Sequence, residues 1–175
     1  MQLFSCETFV PKIDSSNYIA EGVKIIGNVV LESQVNIWHN CVLRADINSI
    51  YVGENTNIQD LSLVHVTQDL GVKIGKNTTI GHSAVIHACT IGDGCLIGMG
   101  AKILDGAVIG DNCLVAAGSV VPPGKVYPAG SFIRGLPAKF IRELSAQEVE
   151  QISTHYLSYI ENSRLFKNNV KLIKS

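Results

Sequence analysis

The amino-acid sequence predicts an all-β solenoid of stacked, parallel triangular coils that ends in a C-terminal α-helix. Apolar residues recur at every sixth position over most of the 175 residues, a period that neither a helix nor an alternating strand produces. A period of six is typical of parallel β-helices, in which each short strand turns one apolar side chain into a shared interior, so we expect about five to six coils. Two coils are longer and are expected to carry small loops near residues 47–50 and 68–73. The inward positions form four runs: Ile19, Ile25, Leu31, Ile37 and Leu43, then Val52, Ile58 and Val64, then Ile74, Ile80 and Ile86, then Ile91, Ile97, Ile103, Ile109, Val115 and Val121.

The signals after the repeat divide the chain into two parts. We expect the β-helix to cover residues 1–140, and a C-terminal helix with a tail to cover residues 141–175 and to pack on the β-helix. The segment 121–124 contains two prolines, which cannot donate to a strand ladder, so it is expected to break the repeat. A Ser-Ala-Gln-Glu capping box begins at Ser145, and it predicts a helix of about five turns that frays from about Lys167.

Composition and charge exclude several classes of function. The formal net charge is −1, so the chain offers no basic surface for nucleic acid. No apolar segment approaches the roughly 20 residues that span a bilayer, and no secretion signal is found at the N-terminus, which predicts a cytoplasmic protein without a membrane partner. The five cysteines form no Cys-x-x-Cys pair and are expected to be reduced. Cys95 and Cys113 are expected to be neighbours in adjacent coils, and their redox regulation is left open.

Three histidines fall at related phases of the repeat. Arg44, His65 and His87 each follow an inward residue of one face by one position. They are therefore expected to form a column of outward-pointing groups, about 5 Å apart. Asp60 and His82 each follow an inward residue of the preceding face by two positions, which places them in a second column nearer a corner. His82 is thus not expected to meet the other two histidines within one chain.

A trimer of parallel solenoids would bring these two columns together. His82 of one subunit would then join His65 and His87 of the next. Three neutral imidazoles suit a catalytic divalent metal, because they leave the charge of the ion largely uncompensated and one position open for water. A metal held in this way acidifies the bound water and makes it nucleophilic. The alternative is that these histidines are ordinary exposed strand residues, as we expect for His39 and His155.

The polar residues of the repeat lie in three motifs. These are Val42-Leu43-Arg44-Ala45-Asp46, Asn57-Ile58-Gln59-Asp60 and Gly81-His82-Ser83-Ala84-Val85-Ile86-His87, with His65 between the last two. Together they resemble the γ-class carbonic anhydrase branch of the hexapeptide-repeat family, over roughly residues 10–140. The resemblance implies a left-handed β-helix, whereas the ordinary crossover rule alone would favour a right-handed path. Hexapeptide acyltransferases share the repeat and a Gly-x-Pro-Ala-Lys exit, found here at 135–139, but not this ordered set of motifs.

The resemblance also implies the assembly and the metal. It implies a homotrimer with three zinc sites, iron or cobalt being the alternatives, which hydrates carbon dioxide reversibly to bicarbonate. Each site would use His65 and His87 of one subunit and His82 of the next. This arrangement agrees with the expectation from the two columns.

The same resemblance suggests roles for the neighbouring polar residues. Gln59 would orient the metal-bound water or bicarbonate, and Arg44 would pair with Asp60 across the subunit interface. Asp46 would support that network, and Tyr159 is a candidate for lining the pocket from the C-terminal helix. The alternative for Arg44 and Asp60 is an ordinary salt bridge between subunits, since a bidentate pair also fixes orientation.

Two departures from the family pattern leave other functions open. The prototype of the class carries an acidic loop and a glutamate that shuttles protons, but Ile47 occupies that position here, and Asp69 is the only carboxylate in the short loop after His65. Hydration releases one proton per turnover, so we expect proton removal to limit the rate. The rival functions are an acyl-CoA-dependent acyltransferase that uses one histidine as general base, and a metal-binding scaffold with little activity.

Overall fold

The computed structural model of the chain describes residues 2–170, and the predicted end of the tail, 171–175, lies outside the described residues. Short strands wind into a parallel β-solenoid of about seven turns, followed by a C-terminal helical segment. The predicted fold class is therefore confirmed, and the architecture is the one expected of a left-handed β-helix. Among residues 2–170, the helices include no candidate for a membrane span.

The strands stack into three faces. The third face carries His65 and His87. It contains β1 (Gln2–Phe4), the start of β4 (Lys24–Leu31), the start of β6 (Val42–Val52), β8 (Leu63–His65), β11 (Val85–His87), β14 (Lys102–Ile103) and β17 (Val120–Val121). The first face contains β2 (Lys12–Ile13), the ends of β4 and β6, β9 (Val72–Ile74), β12 (Thr90–Ile91), β15 (Val108–Ile109) and β18 (Val126–Tyr127). The second face contains β3 (Tyr18–Ile19), β5 (Asn36–Ile37), β7 (Asn57–Ile58), β10 (Thr79–Ile80), β13 (Leu96–Ile97), β16 (Leu114–Val115) and β19 (Ser131–Gly135), which pairs antiparallel with β20 (Ala138–Glu143).

The interior of the solenoid is the predicted aliphatic stack. Every predicted inward residue from Ile25 to Val121 is at most 2% exposed, and Ile19 packs against the same core. Each buried branched side chain contributes about 1.5–3 kcal/mol through removal of apolar surface from water. Outward side chains do not fill this interior, so their positions can hold polar residues such as His65 and His87.

The repeat extends further in both directions than the sequence pattern predicted. Ile13 packs against the core before Ile19, and Tyr127 and Ile133 continue the inward positions after Val121. The predicted break at 121–124 is wrong, because the two prolines lie in the turn between β17 and β18. No ladder donor is required of them there, and Gly124 N supplies the contact to the coil below by donating to Asp105 O at 2.8 Å. The antiparallel β20 follows the last coil.

The two longer coils contain the predicted insertions. Within β4 and β6 the pairing shifts register, since Ala45 lies opposite Gly27 but Ile50 lies opposite Val29. This insertion is therefore a bulge within a continuous strand rather than an open loop. The second insertion, between β8 and β9, contains a turn in which Thr67 N donates to Leu70 O at 3.0 Å.

The cysteines follow the pattern of the coils. All five lie among the described residues as free thiols. Pairing of Leu96 with Leu114 places Cys95 and Cys113 in adjacent coils, as predicted. Both are buried, and their thiols donate to carbonyl oxygens, from Cys95 to Gly110 and from Cys113 to Pro128, each at 3.1 Å.

The predicted C-terminal helix is present in two pieces, α1 (Ala146–Ser153) and α2 (Tyr156–Asn169). Ser145 forms the predicted capping box with Glu148. The helix is interrupted after Ser153, where Thr154 Oγ1 bonds back to Glu150 O at 2.8 Å, a local bond that competes with helix propagation. The second piece continues two residues beyond the predicted start of fraying.

An aromatic cluster attaches α2 to the second face of the solenoid. The Trp38 ring lies edge-on to Tyr159 and to Phe166, at centroid distances of 5.7 and 5.0 Å. Phe166 also contacts Tyr18 at 6.4 Å. These contacts bring Tyr159 and the start of α2 next to the second-face strands.

Candidate metal centre

The register of the third face places Arg44, His65 and His87 in one vertical column. Arg44 pairs with His65 between β6 and β8, and His65 pairs with His87 between β8 and β11. The two imidazole centroids are 5.2 Å apart, and His65 Nδ1 lies 3.1 Å from His87 Nε2. The predicted column is thus formed by backbone pairing, and it brings two ring nitrogens within ligand-sharing distance.

A carboxylate holds the other nitrogen of each ring. His65 Nε2 lies 3.2 Å from Asp46 Oδ1, and the other oxygen of Asp46 accepts a hydrogen bond from Arg44. His87 Nδ1 lies in direct hydrogen-bond contact with Asp105 Oδ1. Each imidazole is therefore oriented from outside by its own acidic side chain.

The electrostatics favour a neutral His65 beside an ionised Asp46. Burial, followed by the nearby charge of Arg44, lowers the pKa of His65 below its ordinary value, although Asp46 opposes this shift. Burial opposes ionisation of Asp46, but the hydrogen bonds from Arg44 and His65 outweigh it and lower the pKa of Asp46. A neutral imidazole is the protonation state that binds a metal.

The facing nitrogens fit a cation. A neutral imidazole carries one N–H, and the ionised carboxylate of Asp46 can only accept a hydrogen bond, so the proton of His65 is assigned to Nε2. Asp105 contacts His87 at Nδ1 and leaves Nε2 as the inner nitrogen of that ring. The remaining lone pairs, on His65 Nδ1 and His87 Nε2, then face each other at 3.1 Å. Such a pair repels unless a positive charge lies between or beside them, and a histidine whose far nitrogen bonds a carboxylate is the usual metal-ligating arrangement.

The second histidine column surrounds a single carboxylate. Asp60 accepts contacts from two rings, with Oδ1 at 3.2 Å from His39 Nδ1 and Oδ2 at 2.9 Å from His82 Nδ1. His82 is 43% exposed at the corner, and its Nε2 is the ring nitrogen not engaged with Asp60. His39 is therefore part of this column, although the sequence pattern had suggested an ordinary exposed residue.

Gln59 and Tyr159 both line a cavity beside this corner. The cavity, of about 290 Å³, lies between the second face and the helices, and Gln59, His82, His155 and Tyr159 line it together with apolar residues of β13 and β16. Gln59 is buried, and its amide nitrogen donates to Asn57 Oδ1 at 3.2 Å. Burial, and then the charge of Asp60, raises the pKa of Tyr159, so its hydroxyl is neutral at physiological pH.

Within one chain the predicted ligands are not all together. Among residues 2–170, no group of three or more His, Cys, Asp or Glu side chains could hold a metal ion. His82 lies with Asp60, apart from the facing pair, and Arg44 contacts Asp46 rather than Asp60. This separation is what the two-column prediction expected of a single subunit.

The sequence patterns did not single out Asp105. It lies 18 residues after His87, one residue more than the 17 that separate the paired Ile86 and Ile103, and it follows the inward Ile103 by two positions. That spacing was available in the sequence. However, the reach of a side chain from a corner back to the coil below depends on how the turn is built.

The sequence matches two family profiles and several known proteins. The profiles are "Bacterial transferase hexapeptide (six repeats)" over residues 88–123 and "Hexapeptide repeat of succinyl-transferase" over residues 71–103. A Methanocaldococcus jannaschii protein named probable carbonic anhydrase is 43% identical over 150 residues, covering 86% of this chain and 94% of the relative.

A plant relative and a solved structure extend the likeness. Gamma carbonic anhydrase 2, mitochondrial, of Arabidopsis thaliana is 43% identical over 171 residues, covering 90% of this chain and 62% of the relative. The chain spans less than two thirds of the length of the three Arabidopsis γ carbonic anhydrases that it matches. The crystal structure of a hexapeptide transferase family protein from Anaplasma phagocytophilum superposes with a TM-score of 0.89 at 40% identity, covering 93% of this chain and 96% of that one. With this identity over most of both chains and the confirmed solenoid fold, the protein belongs to the γ-carbonic anhydrase branch of the hexapeptide-repeat family.

Proposed function

We propose that this protein is a metal-dependent γ carbonic anhydrase that hydrates carbon dioxide reversibly to bicarbonate at sites between the subunits of a homotrimer. The observation that carries the proposal is the facing pair of ring nitrogens, 3.1 Å apart, on His65 and His87. Their outward carboxylate partners leave two lone pairs directed at one point. The names of the relatives support carbon dioxide as the substrate.

The metal would be zinc, or alternatively iron or cobalt, held by His65 and His87 with His82 of the neighbouring subunit. When bound, such a metal supplies Lewis acidity that lowers the pKa of a water molecule and makes it a nucleophile. His82 has Nε2 available for this purpose, because Asp60 engages Nδ1. A trimer would supply the third ligand that one chain lacks.

The surrounding side chains would bind the substrate and exclude water. Apolar residues of β13 and β16 line the cavity beside Gln59 and His82, which suits a small uncharged substrate. Gln59 and Tyr159 would add polar groups to its wall, where they could orient the attacking water or the bicarbonate product. Asp46 holds Arg44 at the edge of the site, and the remaining guanidinium donors of Arg44 could pair with Asp60 of the next subunit.

Removal of the released proton would limit the rate of carbon dioxide hydration. Ile47, 54% exposed, occupies the position where the prototype of the class carries its proton-shuttling glutamate. We therefore expect the hydration rate to rise with the concentration of a small buffer that can accept the proton at the site mouth. A rate independent of buffer concentration would show that the chain has its own exit for protons.

Stopped-flow hydration of carbon dioxide tests the proposal. Metal-loaded protein should exceed the buffer rate, His87→Ala should fall to it, and His39→Ala should retain the activity. His39 is the matched control because it is also a histidine that contacts a carboxylate on the outer surface. Fully metal-loaded protein that does not exceed the buffer rate would overturn the catalytic proposal and favour the scaffold.

An acyl-CoA-dependent acyltransferase is the second candidate, because the Anaplasma structure is named as a hexapeptide transferase family protein. In that case one histidine would act as general base, and three would not be needed. Calorimetric titration with coenzyme A distinguishes the two functions. Binding of coenzyme A by protein that takes up no metal would replace the carbonic anhydrase proposal.

A cytoplasmic location also belongs to the proposal. It is supported by five free thiols, which suit a reducing compartment. The Arabidopsis relatives are named as mitochondrial. Cell fractionation with detection of the native chain would decide between the two compartments.

A further inference from the structure

Asp105 is the outward carboxylate partner of His87, and it lies outside the motifs from which the sequence suggested site residues. It lies in the turn after β14, and the backbone of this turn is fixed by two contacts between coils. Gly106 N donates to Ala88 O at 2.7 Å, and Gly124 N donates to Asp105 O at 2.8 Å. The carboxylate is therefore held one coil beyond His87, with Oδ1 against His87 Nδ1.

We propose that Asp105 is a positioning residue that fixes the proton of His87 on Nδ1 and so keeps Nε2 free to bind the metal. The inference rests on the proposed metal site and adds a residue to it. An ionised carboxylate can only accept a hydrogen bond, so the nitrogen it contacts must carry the proton. The tautomer of His87 is thereby set from outside the site.

The alternative tautomer of His87 would block the metal site with a hydrogen bond between the two rings. If His87 carried its proton on Nε2, that N–H would face the lone pair of His65 Nδ1 at 3.1 Å, which is hydrogen-bonding distance. The two rings would then satisfy each other, and a cation would have to break this bond before binding. Asp105 removes the competing bond by holding the proton on the far side of the ring.

Asp46 performs the corresponding task for the other ring, which shows why both carboxylates are needed. Asp46 Oδ1 contacts His65 Nε2 and leaves His65 Nδ1 as an acceptor. With Asp46 alone, that acceptor would still attract a proton on His87 Nε2. With both carboxylates, neither facing nitrogen carries a proton, and the pair is prepared for a positive ion.

Cobalt(II) affinity tests the proposal independently of catalysis. Metal-free wild-type protein, Asp105→Ala, Asp105→Asn and the control Asp111→Ala would be titrated with cobalt(II) against a competing chelator, with the visible absorption bands recorded. Asp105→Ala should bind about 10- to 100-fold more weakly, the usual cost of losing a partner of a ligating histidine. The cobalt(II) affinity of Asp105→Asn should lie between those of the wild type and Asp105→Ala, because its amide oxygen can still accept the Nδ1 proton.

Asp111 is the matched control because it is also a corner carboxylate, with Oδ1 accepting from Asp93 N at 2.8 Å, but it contacts none of the histidines of the site. Circular dichroism and gel filtration should show the same fold and assembly for all variants. An equal loss of affinity in Asp111→Ala, or wild-type affinity in Asp105→Ala, would overturn the inference. Failure of the wild-type protein to take up metal would instead overturn the proposed function.

A measurement on the metal-free wild-type protein needs no variant. Long-range ¹H–¹⁵N correlation spectra distinguish the two neutral tautomers of histidine, and His87 should show its proton on Nδ1. In Asp105→Asn the population with the proton on Nε2 should increase. A wild-type His87 with its proton on Nε2 would show that Asp105 does not set the tautomer, even if the alanine variant does not fold.

Discussion

Two pairs of histidines on the outer surface of the solenoid contain the same side chains but differ in where the carboxylate lies. His65 and His87 face each other, and each is held from outside by its own aspartate. His39 and His82 instead lie on either side of one aspartate, Asp60. In the first pair two lone pairs converge. In the second pair a negative charge already occupies the centre, so only the outer nitrogens can reach another group.

The comparison teaches that phase within the repeat decides chemistry. A residue one position after an inward residue stands on a face, where backbone pairing stacks it directly over its counterpart in the next coil. A residue two positions after stands at a corner, where the turn decides its direction, so that His82 lies apart from the column but Asp105 reaches back to His87. The facing pair, His65 and His87, therefore resembles two ligands of a metal site that needs a third. The corner histidine His82 is available to a neighbouring subunit.

The largest effect is expected from breaking the facing pair. His65→Ala should reduce metal affinity by more than about 100-fold, because it removes a ligand rather than an outer partner of a ligand. Metal content after dialysis measures this loss directly. Retention of stoichiometric metal would show that the two rings do not share an ion.

Subunit complementation sharpens the contrast between face and corner. Mixed trimers of His82→Ala and His87→Ala subunits should regain one intact site each, because the two substitutions affect opposite sides of an interface. Each variant alone should bind metal weakly. Hydration activity and metal content of the refolded mixture are the measurements. A mixture of His65→Ala and His87→Ala is the control and should not recover, because both substitutions affect the same side of the interface. No recovery in the first mixture would place all ligands within one subunit.

Removal of the metal should have an intermediate effect. At free metal about 100-fold above Kd, binding adds about 2.7 kcal/mol to the stability of the native state. At about 2–4 °C per kcal/mol for a chain of this size, chelation should lower Tm by several degrees. Differential scanning calorimetry would measure the shift, which should be absent in His87→Ala. A shift of equal size in that variant would mean that the chelator acts elsewhere.

The smallest effect is expected in the wall of the cavity beside the corner pair. Tyr159→Phe keeps the ring against Trp38 but removes the hydroxyl, so kcat/KM for hydration should fall by about two- to threefold, equivalent to about 0.5 kcal/mol. Tyr156→Phe, one turn earlier in α2, is the control. Identical kinetics of Tyr159→Phe and wild type would remove this hydroxyl from the candidate site.

The sequence by itself determined the solenoid, its aliphatic interior and the separation of the two histidine columns. Inward residues such as Ile86 can be recognised in the sequence, because one side chain in six must be apolar to fill the interior. The phase of His87 relative to Ile86 then fixes its face. These features depend on local spacing, which a single sequence contains.

Only the tertiary structure decided how the repeat ends and which carboxylate meets which histidine. Pro122 looked like a break but lies in a turn, where no ladder donor is required of it. Asp105 reaches His87 and Asp60 meets two rings at once because corner side chains are directed by the shape of each turn and by the coil stacked on it. Contacts between coils are long-range in sequence, and their geometry follows from packing rather than from spacing alone.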